Sequence, residues 1–176
     1  MRHSRVTVAV LGLLLAASAH VVHAADAPLV AKAKLAGKAG TDLTGSVTFT
    51  EHGGKVTIEA HVMGLAAGKH GFHIHEKGDC GDADFKNAGG HFNPTGAPHA
   101  GPMDAQHHAG DLGNIEIDAN GHGMLEISTA MLTVAPGANS VIGRAVIVHE
   151  KADDLKTQPT GDAGGRVACG VVTAGQ

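Results

Sequence analysis

The sequence predicts an all-β protein, and two observations carry that prediction. The 176 residues include 26 Gly but no Trp, no Tyr and only four Phe, so a helical bundle of this composition would be short of core volume. Short segments rich in Val, Ile and Leu alternate apolar with polar residues and are separated by Gly-rich turns, a pattern typical of half-buried strands. We therefore expect about eight strands in a single barrel or sandwich.

The N-terminal segment, residues 1–24, has the pattern of a secretory signal peptide. Arg2 and Arg5 precede an uncharged apolar stretch at residues 6–17, and small residues follow before the expected cleavage point. The apolar stretch is shorter than the ~20 residues that a membrane span needs, so we favour a removed signal over a membrane anchor. We expect residues 25–176 to form one exported domain without a membrane span, in a bacterial periplasm first and secreted otherwise.

Charge and cysteine content narrow the classes of function. The net charge of −4 argues against nucleic acid as the main partner. The two cysteines of an exported chain are compatible with a disulfide, because the compartments outside the cytoplasm are oxidising.

The predicted strands follow one another along the chain after the signal peptide. In order, they are residues 28–36, 43–50, 55–65, the strand that contains 71–75, and then 113–118, 124–128, 144–149 and 167–173. A turn with two Gly at residues 51–54 joins the second strand to the third as a hairpin. Apolar residues recur with period two in the third strand and leave His61 on its polar face, so we interpret His61 as exposed. A short apolar piece, residues 131–134, precedes a Pro-Gly turn.

Two long polar segments, residues 76–109 and 150–165, lack a strand pattern. Loops of this length in a compact domain are uncommon and are usually functional. Something must replace the missing strand pairing in the first of them, and a disulfide or a metal ion is the obvious candidate, since Cys80 and several His lie within it.

His73 and His75 flank a single apolar residue in the fourth predicted strand. Side chains at positions i and i+2 of a strand point to the same face, so the two imidazoles project together and Ile74 points away. Two imidazoles on one face of a rigid strand make half of a metal site. His149, at the end of a strand that reads as buried, is a candidate for the same cluster.

The loop at residues 76–109 and the residues after it carry a second potential ligand set. His91, His99, the pair His107 and His108, and Asp111 lie there, and three His with one Asp make a closed tetrahedral zinc set. Sites rich in His suit zinc or copper. Any one of these histidines is more often an ordinary structural residue, but their number and placement favour metal binding.

Five motifs in the same order resemble those of the copper/zinc superoxide dismutase family. They are GFHIHE at 71–76, GHFNP at 90–94, HAGDLGN at 108–114, VHEKADD at 148–154 and GRVACG at 165–170. The resemblance covers nearly the whole chain after the signal peptide. It implies an eight-stranded antiparallel Greek-key β-barrel with two long functional loops, which agrees with the strand count.

The resemblance also implies a ligand set, with one copper and one zinc ion per chain. His73, His75, His91 and His149 match the copper ligands, and His91, His99, His108 and Asp111 match the zinc ligands, so His91 bridges the two ions. His107 competes with His108, but both the His-x-x-Asp spacing and the distance from His91 select His108. Asp153 matches a carboxylate that orients one histidine of each metal site.

The activity implied by the resemblance is the dismutation of superoxide to dioxygen and hydrogen peroxide. Copper is then the redox centre, zinc is structural, and His91 leaves the reduced copper, takes up a proton and passes it to the product. Arg166 matches the arginine that attracts the small anion, a role that suits a guanidinium because it stays charged. Thr160 matches the residue that narrows the channel opposite Arg166.

The resemblance further implies a disulfide between Cys80 and Cys169, against the alternative of two free thiols. The second long loop lacks the paired steering glutamates of the animal cytosolic members and keeps Lys151 and Lys156. The dimer patch of those members is only partly present, because Lys77 stands where an aromatic residue would be. We therefore expect either a monomer or a homodimer.

Two other functions compete with the enzyme. An exported metal-binding or metal-delivery protein on the same barrel would not turn over, and relatives of that kind typically lose copper ligands or the channel arginine. Here all seven ligand positions and Arg166 are filled. A zinc hydrolase would need an open coordination position, so Asp111 would have to leave the zinc.

Overall fold

The computed structural model describes residues 27–175, so the predicted signal peptide lies outside the described residues. Eight strands follow in chain order: β1 (Leu29–Gly37), β2 (Thr44–His52), β3 (Lys55–Met63), β4 (Gly68–His75), β5 (Asp111–Ile117), β6 (His122–Thr129), β7 (Ala145–His149) and β8 (Arg166–Ala174). One short 3-10 helix, Lys86–Ala88, interrupts the loop between β4 and β5. Within residues 27–175, none of the helices has the length and apolar character needed to cross a membrane.

The eight strands close into an antiparallel barrel in the order β1-β2-β3-β6-β5-β4-β7-β8. Strand β3 pairs with β6 rather than with β4, and β4 lies between β5 and β7. The connections from β3 to β4 and from β6 to β7 therefore cross the ends of the barrel, which is the Greek-key arrangement. Closure leaves no free sheet edge. The predicted all-β barrel is confirmed.

Alternation along the strands builds the core. In β3 the inward side chains of Val56, Ile58, Ala60 and Val62 are buried, and the residues between them are outside the core. Phe49 on β2 and Ile115 on β5 fill the same interior. Because side chains alternate with period two, the sequence pattern alone places these residues. His61 is exposed, as predicted.

Strands β4 and β7 are buried on both faces, unlike β3. Phe72 and Ile74 of β4 point into the main core, whereas residues 73 and 75 lie on the outer face and are equally buried. A second, smaller apolar cluster covers the outer face of β7 and β8 and includes Phe85, Ile147 and Cys169. The loop between β4 and β5 therefore packs against the outside of the barrel and creates a second interior there.

Three strands begin earlier than their predicted bounds, and β8 does so by one residue, at Arg166. β5 starts at Asp111 and β6 at His122, two residues before the expected positions in each case. The start of β5 was hidden because its pairing with β4 is irregular between Gly71 and His73, and because Gly113 has a φ of +77° that favours Gly. Residues 131–134 form only an isolated bridge, Thr133 to Ser140, and not a strand.

Candidate metal centre

Three histidines come together on the outer face of β4 and at the end of β7. His73 and His75 are fully buried there, and His149 is 4% exposed. β4 and β7 are neighbouring antiparallel strands, so the end of β7 lies beside β4. The ring centroids of His73 and His149 are 4.9 Å apart. Burial on this face comes from the loops that pack over it.

The loop between β4 and β5 delivers His91 to the same place by pairing with the end of β4. His75 and His91 form an isolated β-bridge, and the amide of Phe92 donates to the carbonyl of Ile74 at 2.8 Å. Gly110 completes this arrangement, since a Cβ there would lie 2.2 Å from the carbonyl oxygen of Ile74. A side chain at position 110 would therefore push the loop off the strand.

Four imidazoles form the first potential metal group. One nitrogen of each of His73, His75, His91 and His149 lies within 4.8 Å of the others. Four buried nitrogens, Nδ1 of His73 and Nε2 of His75, His91 and His149, make no hydrogen bond within the described residues. Buried polar atoms are normally paired, so these nitrogens indicate a ligand that the protein itself does not supply. Four nitrogen donors suit copper.

The second potential metal group shares His91 with the first. It contains His91, His99, His108 and Asp111. Around Oδ1 of Asp111 lie Nδ1 of His91 at 2.8 Å, Nδ1 of His99 at 3.0 Å and Nδ1 of His108 at 3.2 Å. The His99 contact falls outside hydrogen-bond geometry, because its Nδ1 has no hydrogen-bond partner despite the short distance. Three nitrogens and one carboxylate oxygen are a closed zinc set.

His107 is buried but belongs to neither group. Its Nδ1 lies 2.7 Å from the backbone carbonyl of His108, so the ring is satisfied locally. His108, by contrast, contributes Nδ1 to the second group, and its backbone amide donates to Oδ2 of Asp111 at 2.9 Å. The geometry therefore favours the choice of His108 over His107.

Asp153 forms a hydrogen bond with one histidine of each potential metal group. Its Oδ2 accepts from Nε2 of His73 at 2.8 Å, and its Oδ1 accepts from Nε2 of His99 at 3.0 Å. Asn114 holds Asp153 in place through two hydrogen bonds to its backbone, of 2.7 Å and 2.9 Å. A carboxylate bonded to one ring nitrogen fixes the tautomer of an imidazole and directs its other nitrogen toward the metal position.

Backbone carbonyls contact the ring nitrogens of two further histidines that point away from the four-histidine group. Nδ1 of His75 donates to the carbonyl of Gly89 at 2.9 Å, and Nδ1 of His149 lies 3.4 Å from that of Gly164. Backbone partners carry no sequence signal and were therefore not predicted. Asn114 and Gln158 were not predicted either; the side chain of Gln158 bonds both the amide and the carbonyl of His99. The strand of Asn114 also contains Asp111 and Glu116, so a polar residue at position 114 gave no distinct signal.

The protonation states of the cluster suit cation binding. Burial lowers the pKa of His73 to about 4 and that of His149 to about 3, and it lowers the pKa of His75 well below its usual value. Burial opposes ionisation of Asp111 and Asp153, but hydrogen bonds from the histidines outweigh it and hold both carboxyl pKa values well below the usual range. Neutral imidazoles beside ionised carboxylates are the forms that bind metals.

His99 behaves differently from the other rings of the cluster. Burial favours its neutral form, but the carboxylates of Asp111 and Asp153 on its two sides, the second of them hydrogen-bonded to Nε2, outweigh that effect and raise its pKa to about 9. The second group therefore attracts positive charge, whether a proton or a metal ion supplies it.

Arg166 lies next to His149 in the pairing of β7 with β8. Its Nη2 donates to the carbonyl of Gly89 at 2.6 Å, and Nη1 donates to the carbonyl of Phe85. Gly89 thus accepts from both His75 and Arg166, which ties the guanidinium to the first group. Thr160 is half-buried in the second long loop, and no hydrogen bond within residues 27–175 joins it to Arg166, so its channel role stays a prediction.

A small open pocket of about 360 Å³ adjoins Arg166. Lys38, Asp84 and Lys86 line it beside Gly164 and Gly165. Nζ of Lys38 lies 2.7 Å from Asp84, and Nζ of Lys86 lies 3.4 Å from it. The residues that line this pocket include three cations and one carboxylate, although the whole chain is negative. The two lysines come from distant parts of the chain, so no local pattern predicted that they lie together.

The predicted disulfide is present and links Cys80 to Cys169, at a sequence separation of 89 and a Cα–Cα distance of 5.8 Å. It joins the loop between β4 and β5 to the middle of β8. That same loop supplies His91, His99 and His108, as well as the carbonyls that hold Arg166. The disulfide therefore anchors the segment that completes both potential metal groups.

Comparison with known proteins identifies similar chains. The family described as copper/zinc superoxide dismutase (SODC) matches residues 43–172. The extracellular superoxide dismutase [Cu-Zn] of Caenorhabditis elegans is 46% identical over 143 residues, a match that covers 78% of this chain and 64% of that protein. The extracellular superoxide dismutase [Cu-Zn] of Drosophila melanogaster is 43% identical over 157 residues, covering 82% of this chain and 85% of the relative.

Solved structures give the same picture of the fold. The crystal structure of the clock protein EA4 superposes with a TM-score of 0.76 at 40% sequence identity, covering 86% of this chain and 98% of that one. The chain is thus similar to these proteins over most of its described length, although the match spans slightly less than two thirds of the worm relative.

Proposed function

The chain belongs to the copper/zinc superoxide dismutase family, and from that premise we propose that it converts superoxide to dioxygen and hydrogen peroxide, protecting against oxidative damage outside the cytoplasm. One observation carries the proposal. His91 turns Nε2 toward the first imidazole group and Nδ1 toward the second, so a single ring serves both. Such a shared imidazole is of no use to a protein that binds one metal alone.

The two groups divide between copper and zinc by their donors. We assign copper to His73 Nδ1 and to Nε2 of His75, His91 and His149. We assign zinc to Nδ1 of His91, His99 and His108, together with Oδ1 of Asp111. When bound, copper supplies the one-electron chemistry that the reaction needs, and zinc holds the second group closed.

The residues in and around the two groups orient the histidines, supply protons and attract the substrate. Two superoxide anions and two protons give one dioxygen and one hydrogen peroxide, so the protein must deliver protons. Nε2 of His91 faces the first group and is the ring position at which we place a transferable proton. Asp153 keeps His73 and His99 turned inward. Two backbone carbonyls hold the guanidinium of Arg166 in position, and its positive charge attracts the small anion.

The direct test combines elemental analysis with a superoxide dismutation assay on the same sample. We expect one copper and one zinc per chain together with activity. A protein that holds both metals and is inactive would refute the enzyme and favour a metal-binding role.

Replacement of His149 separates the two groups, because His149 belongs to the first alone. His149→Ala should abolish copper binding and activity and leave zinc bound. His52→Ala, at an exposed histidine at the end of β2, is the control and should change neither metal nor the rate. Copper and activity retained in His149→Ala would refute the assignment.

We propose that the protein works outside the cytoplasm. The two relatives described above are named extracellular, the disulfide is typical of an oxidising compartment, and residues 1–24 have a signal-peptide pattern. A bacterial periplasm and the extracellular medium are the two destinations that this proposal allows. Fractionation of the producing cells distinguishes them, and full-length protein retained in the cytoplasm would contradict both.

The subunit number proposed is one or two. Ile142, Gly143 and Val171 match part of the dimer patch of the animal cytosolic members, and the amide of Gly78 donates to the carbonyl of Gly143 at 2.8 Å. The neighbouring Lys77 is exposed, and burying its ammonium in an interface would be costly. We therefore favour a monomer over that dimer, and sedimentation velocity at micromolar concentration tests it.

A further inference from the structure

We propose that the outer face of β3 and β6 carries a separate copper(I) site formed by His61, Met63, His122 and Met124. The pairing of the two strands places His61 opposite Met124 and Met63 opposite His122. Two imidazoles and two thioethers thus occupy the corners of one rectangle. The two histidines lie on one diagonal and the two methionines on the other.

All four side chains point to solvent. Their neighbours Ala60, Val62 and Gly123 are buried, so alternation directs residues 61, 63, 122 and 124 outward. Met63 is 49% exposed and Met124 is 71% exposed. These thioethers contribute little to the core, and neither imidazole forms a side-chain hydrogen bond within residues 27–175. The donor atoms are free to rearrange around an ion.

The spacing of the strands allows the four donors to meet. Residues directly opposite each other in an antiparallel pair have Cβ atoms about 4.5–5.5 Å apart, and diagonal neighbours lie about 7–8 Å apart. The centre of the rectangle is therefore within reach of four side chains whose donor atoms lie two or three bonds beyond Cβ. Rotation of exposed side chains suffices, and the backbone need not move.

The surrounding charge favours a cation. Glu59 lies opposite Glu126 next to the cluster, and Glu116 lies opposite Met124 on β5. All three carboxylates are exposed, and like charges directly opposite are unfavourable unless a cation offsets them. Lys69, opposite Glu116 on β4, is the cation that faces this group, so the patch keeps an excess of negative charge.

The donor set selects the ion. Thioether ligands favour copper(I), imidazoles accept copper or zinc, and neither donor suits calcium or magnesium. β3 and β6 lie across the barrel from β7 and β8, which carry His149 and Arg166. The proposed site is thus separate from the metal centre described above, and its binding of copper(I) does not depend on the proposed function.

The test is an anaerobic copper(I) titration of protein already holding its copper and zinc, against a chromophoric copper(I) chelator. We expect one further equivalent per chain, lost in the double variant Met63→Leu/Met124→Leu. Leu keeps the size and apolar character of Met while removing the sulfur, so the barrel should be retained. Met103→Leu, at another exposed methionine, is the matched control and should bind like the wild type.

Two outcomes would overturn the proposal. The first is no further equivalent in the wild type, and the second is an equivalent that survives in the double variant. X-ray absorption of the loaded wild type should show sulfur among the copper ligands. Dismutase activity and circular dichroism should be equal in all variants.

Discussion

Individual carboxylates organise the metal centre. Asp111 has three imidazole nitrogens within 3.2 Å of Oδ1, while its Oδ2 accepts the backbone amides of His108 and Ala100. Asp153 contacts the same cluster from the opposite side through His73 and His99. Two carboxylates therefore orient four imidazole rings, those of His73, His91, His99 and His108. A change at either carboxylate should affect both metals.

Asp153→Asn tests this orienting role. The amide cannot accept two N–H donors as the carboxylate does, so His73 and His99 lose a fixed tautomer, and metal affinity should fall by roughly 10–100-fold. Competition with a chelator, read separately for copper and zinc, measures the loss. Asp162→Asn, an exposed acid on the same loop, is the control. Equal affinities in the two variants would show that Asp153 does not orient ligands.

Arg166 provides a second test at the residue scale. Arg166→Glu should slow dismutation by on the order of tenfold or more, because attraction of the anion becomes repulsion close to the copper group. Arg166→Lys should cost less, since it keeps the charge and loses the fork that bonds two carbonyls. Pulse-radiolysis rates on fully metallated samples measure both. A wild-type rate in metallated Arg166→Glu would place the channel elsewhere.

Among the structural elements, the loop between β4 and β5 connects stability to function. It has little strand pairing of its own and is held by the bridge to β4, the disulfide to β8 and the metal ligands it carries. Its carbonyls at Phe85 and Gly89 position Arg166. Loosening the loop should therefore reduce activity even where the barrel stays folded.

Replacing both cysteines, Cys80→Ser with Cys169→Ser, tests this connection. A bridge that closes a loop of 89 residues contributes about 4–5 kcal/mol in the chain-entropy treatment. The free energy of unfolding in guanidinium should fall by up to that amount, and copper affinity should fall with it. Reduced wild-type protein is the control and should match the variant. Unchanged stability and metal affinity would show that metals alone fix the loop.

On the scale of the whole molecule, the distribution of charge matters more than its sum. The chain carries a net charge of −4, which repels an anionic substrate at long range. The pocket at Arg166 is lined by three cationic side chains, Lys38, Lys86 and Arg166, and by the carboxylate of Asp84. We expect the local positive field of these side chains to guide superoxide although the protein as a whole is negative.

The double variant Lys38→Gln/Lys86→Gln tests this field. The pocket would then hold Asp84 against Arg166 alone, so the rate at low salt should fall by a factor of roughly two to ten. The decline of the rate with ionic strength should also become shallower, because screening acts on the steering charges. Lys55→Gln, on the exposed hairpin after β2, is the control. Identical salt slopes in both variants would exclude the pocket as the entrance.

Local patterns in the sequence were sufficient for the fold class and the family. Strand alternation predicted eight strands because period two depends on neighbours in the chain, and the same rule put His73 and His75 on one face with Ile74 in the core. The five motifs indicated the superoxide dismutase family, the disulfide and the two ligand groups. The roles assigned to individual residues stay predictions until the metals and rates are measured.

Tertiary structure alone decided which atoms meet. The Greek-key closure brings the end of β7 to β4, and the bridge from His75 to His91 brings His91 to the end of the same strand. The carbonyls of Gly89 and Gly164 carry no side-chain signal. The pairing of β3 with β6, which places His61 opposite Met124, likewise joins segments about 60 residues apart. Register and closure depend on burying one shared core, so no local pattern encodes them.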